Sequence, residues 1–176
     1  MTPHYSYRMD HDTGFAPHVA WGICTLCGCK KARKRHGKIY GNVESWAGPG
    51  SWVVGIGGKN TDKPDCLIYA MKVDDSYSYK DFRRLKPRQS SYLLPRRKHG
   101  IKLTDRVLLS RHFYYFGKAA KPLPPYLKRV NFRRHGCKRI DDHIDELEKF
   151  LKSKRHGVHG KPNNKPTRRA PCGGCH

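Results

Sequence analysis

Hydrophobic and polar positions predict two β-strands in the first half of the chain. The runs Ser51–Gly57 and Cys66–Val73 are short and rich in β-branched and aromatic residues, as strands are. The connection between them, Gly58–Asp65, consists mainly of turn-forming residues. We therefore expect these two strands to form an antiparallel hairpin.

The glycines of the segment "GIGGKN" belong to this hairpin and do not form a phosphate-binding loop. The pattern G-x-x-x-x-G-K-[ST] requires glycine where Val53 stands and a hydroxyl group where Asn60 stands. We interpret these glycines as strand-end and hairpin geometry.

Three later segments also carry secondary-structure signals. Asp74–Phe82 predicts the start of a helix, with several candidate N-caps and with Tyr79 and Phe82 three positions apart. Arg106–Gly117 predicts a third strand that ends at glycine. Ile140–Lys152 has the clearest helical periodicity in the chain.

The helix predicted over Ile140–Lys152 is amphipathic. Its apolar residues share one face, and five of the chain's 14 acidic residues lie on the opposite face. The apolar positions are Ile140, Ile144, Leu147 and Leu151, and the acidic positions are Asp141, Asp142, Asp145, Glu146 and Glu148. We expect this helix to pack on the core and not to face nucleic acid.

Length and composition indicate one domain followed by a tail. A chain of 176 residues with 17 glycines and 12 prolines is long enough for one loop-rich domain with a packed core. We assign the domain to residues 1–155. Residues 156–176 are expected to form a flexible basic tail, rich in glycine and proline, that ends in a Cys-x-x-Cys-His cluster.

The charge balance points to nucleic acid as the partner. The chain has 37 Lys and Arg residues against 14 Asp and Glu residues, a net charge of +23, which attracts polyanions without regard to sequence. No run of 18 apolar residues and no long basic amphipathic helix is present, so we expect no membrane binding. The first residues lack the apolar segment of a secretory signal, so we expect an intracellular protein.

Three basic tracts are candidates for contacting phosphates. Residues 30–38 contain six Lys and Arg residues, residues 83–106 contain nine, and residues 152–169 contain seven. One such run alone is as consistent with a solvated surface. Three of them together favour a phosphate-contacting surface.

The segment "HDTGFAPHVAWGICTLCGC", residues 11–29, contains no lysine or arginine but has three of the chain's seven cysteines. Cys24 and Cys27, and likewise Cys172 and Cys175, have the spacing of paired zinc ligands. Zinc bridging the two pairs, zinc at one of them and no metal are alternatives that the sequence leaves open.

A nucleophilic cysteine is another hypothesis for the same segment. Nearby cations stabilise a thiolate, and Cys29 is followed directly by Lys30 and Lys31. His11 and Asp12 precede the cysteines and are candidate acid-base groups.

The run "RHFYYF", residues 111–116, mixes cations with aromatic rings. Aromatic side chains stack on exposed or flipped bases while a cation meets phosphate. On a strand, alternate rings of this run fill the core, and we expect the other face to remain available.

Five blocks in this order resemble a known family. The blocks are "HDTGFAP", "CTLCGCKKARKR", "GSWVVGIGG", "LIYAMKVDDSYSYKDF" and "LLSRHFYYFGKAAKPLP". Together they resemble nucleotide modification associated domain 2, a prokaryotic and phage family linked to DNA base modification. The resemblance implies a role in making, handling or recognising modified bases, in the cytoplasm of a bacterial or phage-infected cell. It also makes other DNA-modification enzymes candidate partners.

We expect an α+β fold with a small antiparallel β-barrel or sheet, flanking helices and the basic tail. The two predicted strands are similar to the small barrels of the PUA and EVE type, an analogy at the level of fold alone.

Two functional hypotheses follow. The first is a DNA-binding domain that holds a modified or flipped base, in single-stranded or modified DNA, in a pocket lined by Cys, His and Asp. The second is an enzyme that modifies a base with Cys27 or Cys29 and His11 or Asp12. A third, weaker hypothesis is a basic RNA- or ribosome-associated protein. Candidate nucleic-acid contacts are Trp21, Lys30, Lys31, Arg33, Arg35, Arg96, Arg97, Arg111, His112, Tyr114 and Tyr115.

Overall fold

The computed structural model describes residues 2–28, 33–40, 42–59, 61–86, 100–128 and 137–163. These residues form short strands and helices of a mixed α+β fold. The strands are β1 (Tyr5–Met9), β2 (His18–Ala20), β3 (Ile23–Cys27), β4 (Arg33–Arg35), β5 (Lys38–Tyr40), β6 (Trp52–Gly57), β7 (Cys66–Lys72), β8 (Asp75–Ser78), β9 (Arg106–Ser110), β10 (His112–Tyr115), β11 (Lys121–Pro122), β12 (Cys137–Arg139) and β13 (Gly157–Val158). The α-helices are α1 (Val43–Trp46), α2 (Tyr79–Leu85), α3 (Pro125–Lys128) and α4 (Ile144–Lys152).

Among these residues the strands form a large sheet, a second sheet and a separate hairpin. The large sheet has the order β12-β1-β6-β7-β10-β13, with β11 also paired to β7. Its pairs are antiparallel except β1 with β6 and β10 with β13. The second sheet has the order β2-β3-β9-β8 and is antiparallel. Neither sheet closes on itself, so of the two predicted arrangements the structure has the open sheet and not the barrel of the PUA and EVE analogy.

The two sheets share a corner where the chain passes between them twice. Strand β7 continues into β8, and β9 continues into β10 after a single bend at Arg111. The Asp74 backbone N–H donates to the Leu109 carbonyl over 2.9 Å, and the Ser110 hydroxyl donates to the carbonyls of Lys72 and His112. These bonds satisfy the backbone groups at the point where each ladder ends.

This corner corrects two predictions. The residues Asp75–Ser78, which we expected at the start of a helix, form strand β8, and the helix begins at Tyr79. The Ser78 hydroxyl caps that helix by accepting from the Asp81 backbone N–H over 3.1 Å. The segment expected as one strand from Arg106 to Gly117 is two strands in different sheets.

The large sheet is buried on both faces. One face packs against the second sheet, and the other face packs against α4; helix α2 covers the far side of the second sheet. Three clusters of side chains fill these spaces. The first core, between the sheets, includes Tyr7, Met9, Cys24, Val53, Ile68, Met71, Leu108 and Tyr115. The second core, under α4, includes Trp52, Val54, Leu67, Tyr114, Phe116, Ile140, Leu147 and Leu151. The third core, under α2, includes Cys27, Tyr79, Phe82, Val107 and Leu109.

The hairpin β6–β7 and the amphipathic helix confirm the sequence predictions. Strands β6 and β7 pair in antiparallel register from Trp52 opposite Lys72 to Ile56 opposite Leu67. Their apolar runs are nearly continuous because both faces of these strands are covered. Helix α4 buries Leu147 and Leu151, and Ile140 is buried just before it. No helix in the described part of the chain is long and apolar enough to cross a membrane.

Residues 33–40, which include the described part of the first basic tract, form a hairpin. Strands β4 and β5 pair only with each other in the described residues, with Arg35 opposite Lys38. Between them, His36 and Gly37 both have positive φ, 48° and 77°. Two such residues form the type I′ turn that fits the twist of a tight hairpin.

The glycines of "GIGG" lie where other groups approach the backbone closely, which confirms their interpretation as hairpin geometry. A β-carbon on Gly55 would overlap the Tyr69 ring and lie 2.6 Å from Met9 Sδ. A β-carbon on Gly57 would overlap the Lys63 carbonyl oxygen.

We predict that Gly55→Ala destabilises the fold, because the added methyl group must displace buried side chains in the first core. Overpacking of this kind costs about 1–3 kcal/mol. The control is Gly48→Ala, because the nearest atom to a β-carbon there is an Arg106 nitrogen at 3.9 Å. Urea denaturation should show a lower free energy of unfolding for Gly55→Ala alone, and similar values for both variants would contradict the prediction.

Candidate nucleic-acid interface

A cleft of about 370 Å³ lies where the end of α4 meets the large sheet. This volume is near the lower end of the range of small-molecule sites, roughly 300–1,000 Å³. The cleft is lined by Trp52, Lys72, His112, Tyr114, Glu148, Lys149, Leu151, Lys152, Lys154 and His156. Aromatic rings, four lysines and one carboxylate therefore meet in one concave surface.

Trp52 forms the buried wall of the cleft. Its backbone N–H donates to His4 Nδ1 over 2.9 Å, and its indole Nε1–H donates to Glu148 Oε1 over 2.8 Å. The side chain is only 1% exposed. The hydrogen bond from the backbone N–H and the one from the indole Nε1–H together fix the orientation of the Trp52 side chain.

Four rings contact one another in the cleft. The His112 ring lies with its centre 5.3 Å from the Trp52 ring and 4.2 Å from the His156 ring, on which it stacks. The Tyr114 ring centre lies 4.9 Å from that of His156, edge to face. His112 and Tyr114 project to the same side of β10 because alternate residues of a strand share a face.

The charges of the cleft come mainly from α4 and its C-terminal end. Lys149 and Lys152 are exposed, and Lys72 reaches in from β7 to lie 3.2 Å from Glu148 Oε1. The hydrogen bond from Trp52 and the nearby Lys72 lower the pKa of Glu148 from its usual value, so the carboxylate is ionised at neutral pH. Burial, together with the neighbouring His156, lowers the pKa of His112, which favours its neutral form.

Residues 157–163, here called the C-terminal strap, hold the rim of the cleft in place. Strand β13 adds to the large sheet beside β10, and the His159 N–H donates to the Tyr115 carbonyl over 2.8 Å. The Lys118 N–H donates to the Lys161 carbonyl over 2.8 Å. His156 immediately precedes the strap, so docking of the strap positions its ring.

Asp12 anchors the far end of the strap. Its side chain, 1% exposed, accepts a hydrogen bond from the Tyr115 hydroxyl over 2.7 Å and another from the Asn163 N–H over 3.0 Å. Burial raises the pKa of Asp12, while these hydrogen bonds act in the opposite direction. A buried carboxylate with partners on both oxygens is a structural link between strap and core.

The family model described as nucleotide modification associated domain 2 matches residues 1–104 and 96–169. The chain belongs to this family. No curated protein and no solved structure matches it. Membership confirms the resemblance found in the sequence and supports a role linked to nucleotide modification.

The predicted acid-base and thiol residues that the structure describes do not share one open pocket. Asp12 is buried, whereas His11 is exposed. Cys24 and Cys27 lie three positions apart on β3, and their side chains enter the first and the third core respectively. Burial raises the pKa of the Cys24 thiol, which disfavours a thiolate.

A shared metal at Cys24 and Cys27 does not follow from this geometry, because the two thiols point to opposite sides of the strand. Among the described residues, no group of three or more His, Cys, Asp and Glu side chains is arranged to hold a metal ion. Cys29, Cys172 and Cys175 lie outside the described residues. Zinc at those positions therefore stays a prediction.

Of the predicted nucleic-acid contacts, the structure brings two into the cleft. His112 and Tyr114 line it, whereas Tyr115 points into the first core. Arg111 is exposed and lies 3.6 Å from carboxylate oxygens of both Asp74 and Asp75. Trp21 is 51% exposed in the turn between β2 and β3, away from the residues that line the cleft.

The structure describes only some of the remaining residues that we predicted to contact nucleic acid. Arg33 and Arg35 lie on strand β4. Lys30, Lys31, Arg96 and Arg97 lie outside the described residues. Contact of these six residues with nucleic acid stays a prediction.

The sequence predictions missed Trp52, Glu148 and His156 as site residues. Glu148 was counted among the solvent-facing acids of a helix that we did not expect to face nucleic acid, and His156 was assigned to the tail. His156 and His159 lie three positions apart in the third basic tract. This spacing was the sequence signal that the segment could contribute side chains to a site.

We predict that Tyr115→Phe destabilises the protein by about 1.5–3 kcal/mol, because it removes a hydrogen bond to a buried charged group. The matched control is Tyr126→Phe, which removes a hydroxyl that donates to the Glu146 carbonyl near solvent. Urea denaturation of both variants tests the difference. Equal losses would mean that the Asp12 contact is worth no more than an exposed one.

We also predict that stability falls as the pH drops below 6.5. Burial lowers the pKa values of His4 and His112 from 6.5, so the folded state takes up protons less readily than the unfolded state. The free energy of unfolding should be highest above pH 6.5 and should decrease below it, before the carboxylates protonate near pH 4.5.

In the double variant His4→Gln and His112→Gln, the free energy of unfolding should depend less on pH between about pH 7.5 and 5.5. This interval extends roughly one pH unit either side of 6.5. The control is His11→Gln, at an exposed histidine. Urea denaturation across this interval is the measurement. A wild-type curve that is already flat there would contradict the prediction.

Proposed function

We propose that this protein binds DNA and holds one base against the aromatic wall of the cleft, as a recognition step in nucleotide modification. The observation that carries the proposal is the meeting of stacked rings and lysines in one concave surface. The family supports the link to nucleotide modification, and the binding mode is our inference.

Charge supplies most of the affinity in this proposal. A chain with a net charge of +23 attracts the phosphate backbone, and phosphate contacts position a strand without reading its sequence. Lys149, Lys152 and Lys154 lie around the cleft, next to the rings. The basic hairpin β4–β5 is a second candidate for contacting the backbone.

The rings supply the contact to the base. Every base has a flat π face, and stacking on an aromatic side chain contributes about 1–3 kcal/mol per base. His156 is exposed and stacks on His112 at the wall of the cleft. A base can reach this ring when it belongs to a single strand or is turned out of a duplex.

This proposal moves the base from the predicted Cys, His and Asp pocket to the other face of the large sheet. Asp12, Cys24 and Cys27 are buried, and both carboxylate oxygens of Asp12 accept hydrogen bonds from within the protein. The alternative of an enzyme that uses His11, Asp12 and Cys27 or Cys29 would require the buried Asp12, and Cys27 if it is the nucleophile, to become accessible. We therefore favour a binding module that acts with other DNA-modification enzymes.

The first test is fluorescence anisotropy with labelled single-stranded DNA at several salt concentrations. If six to ten phosphates are neutralised, affinity should fall on the order of 10³- to 10⁵-fold between roughly 50 and 200 mM salt. An RNA strand of the same sequence is the second arm. Tighter binding to RNA than to DNA would replace this proposal with that of an RNA-associated protein.

Single-residue variants test whether the cleft is the DNA-binding surface. Lys152→Ala should weaken binding to all sequences and lower the salt slope by about 1. Lys80→Ala, at an exposed lysine of α2 away from the cleft, is its control. His156→Ala should cost about 1–3 kcal/mol of single-strand binding.

The control for His156→Ala is His159→Ala, because the His159 ring stacks on Phe116 outside the cleft lining. Thermal unfolding confirms that each variant folds. The cleft is not the binding surface if the two members of each pair bind alike.

A further inference from the structure

Glu148 is the one carboxylate among the residues that line the cleft. Its Oε1 accepts from Trp52 Nε1 over 2.8 Å and from Lys72 Nζ over 3.2 Å. Oε2 accepts no hydrogen bond from the part of the chain that the structure describes. The side chain is 45% exposed, so solvent and ligands reach it.

The two donors on Oε1 orient the carboxylate. The indole N–H belongs to Trp52, whose backbone N–H donates to His4. Lys72 Nζ lies 5.8 Å from the centre of the Trp52 ring. One oxygen is thus tied to the wall, and the second is left for a ligand. An ionised carboxylate only accepts hydrogen bonds, so this oxygen suits a ligand that presents a donor in place of water.

Base edges differ in the donors that they offer. The exocyclic amino groups of cytosine and adenine donate, whereas a keto oxygen at the same position accepts. Glutamate accepting from the cytosine N4 amino group is a known pairing in base recognition. A base stacked on the cleft wall with its amino group toward Oε2 would leave no polar group of Glu148 without a partner.

We propose that Glu148 selects bases that carry an exocyclic amino group, by accepting a hydrogen bond from that group while the base stacks on the exposed ring of His156. This inference rests on the proposed function, because it assumes that a base enters the cleft. It assigns the recognition of amino-bearing bases to one residue of α4.

The test uses oligonucleotides of abasic residues that carry one base, so that only one ring can enter the cleft. The base is cytosine or 2-pyrimidinone, which lacks only the 4-amino group. Wild-type protein should bind the cytosine strand about tenfold more tightly, the value expected of one hydrogen bond to a charged acceptor. Fluorescence anisotropy measures both affinities and that of a base-free strand.

Glu148→Gln should lose this preference. The donors Trp52 and Lys72 hold the amide oxygen, so the amide NH₂ group replaces Oε2 and presents a donor to a donor. The matched control is Glu146→Gln, which removes the same charge from the exposed surface of the same helix, outside the cleft lining. It should keep the preference for cytosine.

The possible outcomes separate the inference from the proposed function. If wild-type protein binds neither base more tightly than the base-free strand, no base enters the cleft and both are wrong. If it binds the two bases equally, and more tightly than the base-free strand, only the role of Glu148 is wrong. A preference that survives in Glu148→Gln also overturns that role.

Thermal unfolding checks that Glu148→Gln folds. If it does not, Glu148→Asp keeps the carboxylate and withdraws it by one methylene group. That variant should reduce the preference for cytosine over 2-pyrimidinone. An unchanged preference in Glu148→Asp would overturn the inference.

Discussion

Burial of the large sheet on both faces is the constraint on which the rest of this structure depends. Strands β6 and β7 lie between the second sheet and α4, so almost none of their positions can hold a charge. Several polar groups in these layers are paired with each other, as in the Tyr7 and Tyr69 hydroxyls at 2.7 Å and in the contact of Asp12 with Tyr115. The basic residues therefore lie mainly at strand ends, in loops and on the outer faces of the helices, as Lys72 at the end of β7 and Lys149 on α4 do.

The position of the cleft follows from the same constraint. Helix α4 ends at Lys152, and beside this end the half-buried His112 ring and the exposed His156 ring continue from the buried rings of Trp52 and Tyr114. The C-terminal turns of a helix favour cations, because the last carbonyl groups carry partial negative charge. Lysines at this end of α4 therefore lie beside the rings that line the cleft.

The sequence predicted the elements whose signals are local. The hairpin β6–β7 has continuous apolar runs and a turn-forming connection, and α4 has a regular apolar face. Strand β8 was missed because its four residues, Asp75–Ser78, are half-buried and mostly polar, without alternation. The bend at Arg111 was missed because it depends on Asp74, which lies 37 positions earlier.

The candidate site was less accessible to sequence reasoning, because it joins residues from distant segments. Trp52 and Glu148 are 96 positions apart, and no spacing rule connects them. The run containing His112 and Tyr114 was recognised, since its residue types are unusual in themselves. The segment around Asp12 was also recognised as unusual because it contains no lysine or arginine. Burial of much of this segment explains the absence of basic residues better than an open pocket does.

The link between Asp12 and Asn163 also has a consequence for the order in which the protein matures. These two residues are 151 positions apart, and the strap that they hold brings His156 against His112. During synthesis the sheets can assemble once β10 has emerged from the ribosome, but the cleft has no fourth ring and no fixed rim until the strap follows. A nascent chain therefore carries its first two basic tracts, with their indiscriminate attraction to nucleic acid, before the rim of the cleft is in place.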